Sequence, residues 1–179
     1  MENWKSIDEY ENYEISDHGN VKNIKTNKML KPSIDGHGYY KVGLYKNKIR
    51  TTSRIRKLVA QAFLTNHDDK LCVDHIDRNR LNNHISNLRY ATKSENGMNQ
   101  SKRSDNTSGI KGVNFHKTNK KWRAQITKDG RKIFLGYFES KEEAIEARSK
   151  AEEKYFKEFR AQNIYNISNS TVNININNS

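Results

Sequence analysis

The stretch from Leu71 to Asn96 restricts the fold of this chain more than any other. Leu71 to Asp74 reads as a short strand that ends on a polar pair, Asp74-His75. Arg78 to His84 is a polar, Asn-rich loop, and Leu88 to Ala91 reads as the return strand. Thr92-Lys93-Ser94-Glu95 has the pattern of a capping box, so a helix should follow from about Lys93 to Gln100. Neighbouring residues of a regular strand point to opposite faces. Asp74 and His75 can therefore share one site only if the strand ends there, and Asp77-Arg78-Asn79 offers the turn that would end it.

These residue types suit the cutting of a phosphodiester bond. Water must lose a proton near neutral pH, and a histidine such as His75 titrates in that range. Charge gathering on the phosphate and the leaving oxygen calls for a hard divalent cation, which prefers oxygen ligands. Asp74 offers a carboxylate oxygen and Asn96, just inside the capped helix, an amide oxygen. His84 reads as a surface loop residue, and His18, His37 and His67 fall in turns with no chemistry assigned.

Val73-Asp74-His75-Ile76-Asp77, Asn79-Arg80-Leu81-Asn82-Asn83, Asn87-Leu88-Arg89-Tyr90-Ala91-Thr92 and Ser94-Glu95-Asn96 resemble the HNH nuclease motif, in its phage and intron-borne homing-endonuclease branch. The resemblance implies two strands and a helix around one divalent metal, Mg2+ or Mn2+. It makes His75 the general base, Asp74 and Asn96 the metal ligands, and Asn87 the residue that ties the loop and so orients His75. It further implies products with 5′-phosphate and 3′-hydroxyl ends. Many relatives carry His where Asn96 stands. The cysteine knuckles of some relatives are missing, since Cys72 is the single cysteine.

Upstream, Trp4, Ile7, Tyr10, Tyr13, Ile15-Ser16, Gly19 and Val21 resemble a short nuclease-associated module, with the aromatics expected in its core. Strands are expected at Tyr13–Ser16, Val21–Ile24, Tyr39–Tyr45 and Ile49–Ser53, and a helix at Arg56–Phe63. Arg54, Arg56 and Lys57 on that helix, with Arg80 and Arg89 nearby, are candidate DNA contacts.

Charge points the same way. The net charge is +12, which favours a polyanionic partner. Residues 1–64 hold 12 Lys/Arg against 7 Asp/Glu, residues 65–99 hold 5 against 5, and residues 100–163 hold 16 against 9. Two basic arms thus flank a neutral centre.

In the C-terminal arm, Gly112–Lys117, Lys121–Lys128 and Arg131–Tyr137 read as three strands, with Asp129-Gly130 a strong hairpin signal. Ser140 and Glu143 form a second capping box, opening a helix to about Phe159 whose stripe Ala144, Ala147, Ala151 and Tyr155 should lie on the sheet. Lys111–Lys132 carries 8 basic residues against 1 acidic, while Glu139–Arg160 carries 6 against 7. Trp122, Ala124 and Ile126 share one face with Val113 and Phe115, leaving a polar face for a DNA groove. Lys111-Gly112-Val113, Trp122-Arg123-Ala124-Gln125-Ile126 and Leu135-Gly136-Tyr137-Phe138 resemble the DNA-binding domain of plant ethylene-response factors. On that likeness Lys111, Asn114, His116, Arg123, Gln125, Thr127, Lys132 and Phe134 face DNA, and Arg131 is added by its charge.

The expected fold is α+β. A β-rich module over 1–54 precedes a ββα metal core over 55–100. A linker at 101–109 leads to a three-stranded antiparallel sheet on one helix over 110–160, and 161–179 is a low-complexity, unstructured tail. The expected function is hydrolysis of double-stranded DNA by a monomer with one divalent cation per site. A DNA-binding regulator with a decayed nuclease core is the alternative, and an RNA-binding protein is suggested by charge alone. The N-terminus lacks an apolar signal core and no apolar run approaches 18 residues, so a cytoplasmic protein of a phage-infected or bacterial cell, not bound to a membrane, is expected.

Overall fold

Trp4–Ser6 (β1), Tyr13–Ser16 (β2), Val21–Asn23 (β3) and Lys28–Met29 (β4) form an antiparallel sheet in chain order. Ser33–Ile34 (β5), Tyr40–Lys46 (β6) and Ile49–Arg54 (β7) form a second sheet. Helix α1 (Ile55–Phe63) follows, then a hairpin of Cys72–His75 (β8) and Leu88–Ala91 (β9), and helix α2 (Lys93–Met98). The computed structural model describes residues 1–66, 68–100 and 106–160, and the backbone of 166, 167, 170 and 171. His67 lies outside the described residues.

The chain divides into two compact units, Met1–Asn96 and Gly97–Ser179. The module expected over 1–54 and the core expected from 55 are not separate bodies. Ile7, Tyr13, Ile15, Val21, Val42 and Leu44 share one apolar cluster with Leu58, Val59 and Ala60 of α1 and with Val73 and Leu88 of the hairpin. Sheets this short cannot bury enough surface alone, so α1 serves all of them. Its apolar stripe packs on β2, β6, β8 and β9. Tyr13 is buried and Tyr10 half-buried in this core, as expected of the aromatics, whereas Trp4 lies outside the cluster with Lys22 Nζ over its ring.

The fusion reaches the Asn-rich loop. Ile85 N–H donates to Asp17 O at 2.8 Å. Gly19 has φ 85°, and a Cβ there would stand 2.9 Å from Asn83 Cβ and 3.1 Å from Ile55 Cγ2. Gly19→Ala is therefore expected to cost about 2–3 kcal/mol, combining a left-handed backbone with steric overlap. Urea unfolding measures it, and a wild-type midpoint would refute the packing argument.

In the second unit Val113–His116 (β10), Lys121–Lys128 (β11) and Arg131–Phe138 (β12) form an antiparallel sheet, with helix α3 (Lys141–Phe156) across it. Ser140 accepts from Glu143 N–H and the Glu143 carboxylate reaches back, completing the capping box. Asp129 and Gly130 have φ of 49° and 76°, as a tight hairpin turn requires.

The helix stripe differs from expectation. Ala144 and Ala151 are buried, but with Ile145, Arg148, Glu152 and Phe156, while Ala147 and Tyr155 are only half-buried. The buried charges meet the sheet beside a register shift between Ala124 and Gln125. Arg148 Nη1 donates to Gln125 O at 2.6 Å, and Arg148 Nε to Glu152 Oε1 at 3.0 Å. A carbonyl turned out of the ladder needs a buried donor, and the donor's charge needs a partner.

The expected linker is part of this unit from Asn106 onward. Ser108 is buried, with its Oγ 2.5 Å from Val113 O and 2.9 Å from Ile110 O. Ser101–Asp105 lie outside the described residues. The tail expected to be unstructured pairs Asn166–Ile167 (β13) with Ser170–Thr171 (β14); its other residues, including the alternation from Val172 to Ile176, lie outside the described residues. No helix among the described residues is long and apolar enough to cross a membrane.

Candidate active site

The hairpin register pairs Val73 with Tyr90, Asp74 with Arg89 and His75 with Leu88. The strand therefore does not end at Asp74 but continues through His75. The two side chains leave it toward different partners, as strand alternation demands. The Asp74 Oδ2 atom accepts from Arg89 Nε at 3.0 Å and Nη2 at 2.9 Å. Both residues are largely withdrawn from solvent, at 7% and 16% side-chain exposure, so this is a firm ion pair. Arg89, expected on DNA, is thus engaged with the candidate metal ligand.

His75 is 4% exposed. Its Nε2 lies 3.2 Å from Asn83 Oδ1, and its ring stacks on Tyr39 with centroids 5.8 Å apart and planes at 26°. Asn83 Nδ2 donates to Leu81 O at 3.1 Å. That orients the amide so that its oxygen faces the ring, where it can only accept. Nε2 accordingly carries the hydrogen, and Nδ1 is the basic nitrogen of neutral His75. Burial pushes the His75 pKa below its ordinary value, assisted by the Arg56 charge and opposed by the Asn83 hydrogen bond and by the Asp77 and Asp74 carboxylates.

Asn87 is buried and ties the loop at three points. Its Oδ1 accepts from Asp77 N–H at 2.9 Å, while Nδ2 donates to Asp77 Oδ1 at 2.9 Å and Asn82 O at 2.8 Å. Arg78 takes a left-handed φ of 65°, and its N–H donates to His75 O at 2.9 Å, making the turn after the strand. Asp77 sits at the centre of this loop. Burial would raise its pKa, but hydrogen bonds from Asn82, Asn79 and Asn87 and the pull of His75 hold it below the usual range.

The Thr92–Glu95 capping box is closed in both directions, at 2.7 and 3.1 Å. It fixes Asn96, whose N–H donates to Thr92 O at 3.0 Å, in the first turn of α2. Among the described residues no three His, Cys, Asp or Glu side chains gather as a metal centre. The donor chemistry nonetheless fits a hard cation: a carboxylate and an amide oxygen leave most of the coordination sphere to water and phosphate. The Asp74 carboxylate, with about four lone-pair directions, can serve Arg89 and a cation together.

The remaining candidates separate. Arg54, Arg56 and Arg80 collect around Tyr39, with guanidinium carbons 4.7, 4.1 and 5.0 Å from its ring centre, while Lys57 is exposed. His84 is half-buried, its Nδ1 accepting from Ser86 N–H, with the His18 ring 4.6 Å away. In the second unit, cross-strand pairing sets Asn114, Arg123 and Tyr137 on one face with Gln125, Phe134, Thr127 and Lys132. Arg123 bonds Asn114 Oδ1 at 3.3 and 3.2 Å, and His116 meets the edge of Tyr137. Two expected contacts do not join that face. Lys111 is turned inward onto Gly97 O at 2.8 Å, and burial lowers its pKa. Arg131 pairs with Lys128, one residue out of phase with Lys132.

Sequence reasoning missed Asn83 and Tyr39. Asn83 is one of several loop asparagines with nothing to distinguish it, and Tyr39 read as the first residue of a strand that instead starts at Tyr40.

A hairpin that places a buried histidine beside an acidic residue, followed by a capped helix, defines the HNH class of nuclease site. Residues 57–98 match the HNH endonuclease family and residues 2–45 the NUMOD4 motif. The solved structure titled "DNA binding and cleavage by the HNH homing endonuclease I-HmuI" superposes with a TM-score of 0.53 at 32% identity, covering 84% of this chain and 88% of that one. DNA endonuclease I-HmuI of Bacillus phage SP01 is 41% identical over 101 residues, 56% of this chain and 58% of that protein. H-N-H endonuclease F-TflII of Escherichia phage T5 is 37% identical over 97 residues, 53% of this chain and 50% of the relative. An uncharacterized HNH endonuclease, L245, of Acanthamoeba polyphaga mimivirus is 41% identical over 93 residues, 52% of this chain and 28% of its own. The alignments thus take in between 28% and 58% of these curated relatives' lengths. The chain belongs to the HNH homing endonuclease family.

Proposed function

We propose that this chain is an endonuclease that hydrolyses phosphodiester bonds in double-stranded DNA, using one divalent cation. The observation that supports it most is His75, buried, biased to its neutral form and oriented through Nε2, beside an Asn87-tied loop. His75 Nδ1 takes the proton from the attacking water. Asn87 keeps the loop from Asp77 to Asn82 closed and so fixes where that nitrogen points. Asp74 and Asn96 hold Mg2+ or Mn2+, which when bound supplies positive charge to the phosphate and leaving oxygen. In-line displacement sets attacking and leaving oxygens on opposite sides of phosphorus. His75 is the last residue of β8 and the chain turns at Arg78 just beyond it, which supports both side chains serving one phosphate. Products would carry 5′-phosphate and 3′-hydroxyl ends.

DNA is held by the basic side chains of each unit. In the second unit the contact is made by the polar sheet face, in the manner of the ethylene-response-factor domain it resembles. A basic sheet whose covering helix is nearly neutral favours that reading. Incubating plasmid DNA with the chain, with and without Mg2+, tests the main proposal: metal-dependent nicking or linearisation is expected, and binding without cleavage under Mg2+ and Mn2+ would overturn it. Arg123→Ala is expected to weaken duplex binding about fivefold to tenfold and flatten its salt dependence by about one unit. Fluorescence anisotropy over a salt series reads this, and unchanged affinity removes the sheet face from the interface.

A further inference from the structure

The Tyr39 ring is a meeting point that the proposed chemistry does not use. It touches His75 on one side and three guanidinium groups around it. Arg54 and Arg56 stand two residues apart where β7 meets α1, Arg80 comes from the Asn-rich loop, and each is pinned by a second bond. Arg54 Nε donates to Asp35 Oδ2 at 2.6 Å, Arg56 Nη1 to Val73 O at 2.8 Å and Arg80 Nη1 to His37 O at 2.7 Å. Asp35 also accepts from the His37 and Tyr39 N–H groups, so one carboxylate holds both the turn and Arg54.

Charge balance is the informative point. Arg54 has a carboxylate partner. Arg56 and Arg80 have neutral carbonyls only, with no ion pair among the described residues. Like charges this close repel, and a ring face offsets only part of that. Two uncompensated, pre-oriented guanidiniums beside a buried histidine suit a planar, charged oxygen group, and guanidinium matches phosphate oxygens in geometry as well as charge. Arg80 is exposed and Arg56 half-exposed, so an incoming strand can reach both.

We propose that Tyr39 is a positioning residue that gathers Arg56 and Arg80 beside His75, so that these two arginines grip a DNA backbone phosphate next to the one His75 acts on. This rests on the nuclease reading above, and it assigns to the N-terminal segment a part in building the catalytic cleft. The Tyr39 ring also limits the tilt of His75, which is otherwise held by Asn83.

Salt-dependent binding of the full chain to a 30-base-pair duplex, followed by anisotropy without divalent metal, tests the proposal. Each phosphate contact contributes roughly 0.9 to the slope of log affinity against log salt. Because both arginines hold one phosphate, Arg80→Ala is expected to lower the slope by less than one, and Arg56→Gln with Arg80→Ala by about one. Tyr39→Leu, which keeps bulk and loses the π face, is expected to lower it by up to about one, while Tyr39→Phe keeps the wild-type slope. A folded Tyr39→Leu protein with the wild-type slope overturns the proposal, and so does a Phe variant as weak as the Leu variant. If Tyr39→Leu does not fold, wild-type slopes in both arginine variants overturn it as well. A duplex with one neutral methylphosphonate at each position in turn, cut by the wild-type chain under Mg2+, gives the location: cleavage falls most when the neutral group flanks the cut, and an effect confined to distant positions refutes the placement. Slope losses as expected in a chain that never cuts DNA support the phosphate grip while removing the nuclease reading, so the two fail separately.

Discussion

The His75→Ala protein is expected to cleave plasmid DNA about 10²–10⁴-fold more slowly than wild type, the range contributed by a positioned general base. Binding to duplex DNA should change little, because His75 is 4% exposed and offers almost no surface to a ligand in the free protein. The same assignment fixes a pH dependence. The base works when neutral, and burial lowers its pKa from the ordinary 6.5. The neutral form therefore persists into more acidic solution than for a free histidine. Cleavage measured at limiting DNA should fall on the acid side along a limb centred below pH 6.5. Full activity in His75→Ala, or an acid limb centred above pH 7, would remove His75 from the reaction. Loss of activity with loss of fold is separated from this by circular dichroism.

The second large effect concerns Asp74. In the wild-type chain, Mg2+ or Mn2+ should raise the thermal midpoint, since a ligand that binds only the native state stabilises it by mass action. Asp74→Ala should abolish that rise together with cleavage. Without metal it should also be less stable, by about 2–4 kcal/mol, because the mostly buried Arg89 loses its Asp74 carboxylate. Arg89→Met separates the two effects: it removes the ion pair but keeps the carboxylate, so the metal response should survive. A metal-dependent midpoint in Asp74→Ala would show that the cation is held elsewhere.

Much of the site was legible because it rests on local rules. The Thr92–Glu95 box starts α2, the turn after Asp77 follows from short polar residues, and the return strand follows from its apolar run. The C-terminal sheet was legible for the same reason: Asp129-Gly130 closes a hairpin, and alternation sorts Val113, Ala124 and Ile126 inward. Three features could not be read this way. Arg148 and Glu152 fall outside the expected alanine stripe, yet both are buried, with Arg148 donating to Gln125 O on the sheet. Lys111 looked like a phosphate contact, but carbonyls on Gly97 and Gln100 claim it. The residues on either side of position 54 looked like two modules, and only the structure shows that they share one apolar core.

The sequence by itself determined most of the elements, the residue types gathered at the candidate site and the distribution of positive charge. Each of these depends on residues near one another in the chain, where spacing and backbone preference act directly. Only the tertiary structure decided which side chains meet: Asp74 with Arg89, His75 with Asn83 and Tyr39, and Tyr39 with arginines from two stretches of the chain. Those contacts depend on how β6, α1 and the β8–β9 hairpin pack around one core, and side-chain partners chosen by packing leave no periodic trace in the chain. The strand that reaches through His75 is the clearest case. Its length was a matter of one residue, and cross-strand pairing with Leu88 settled it.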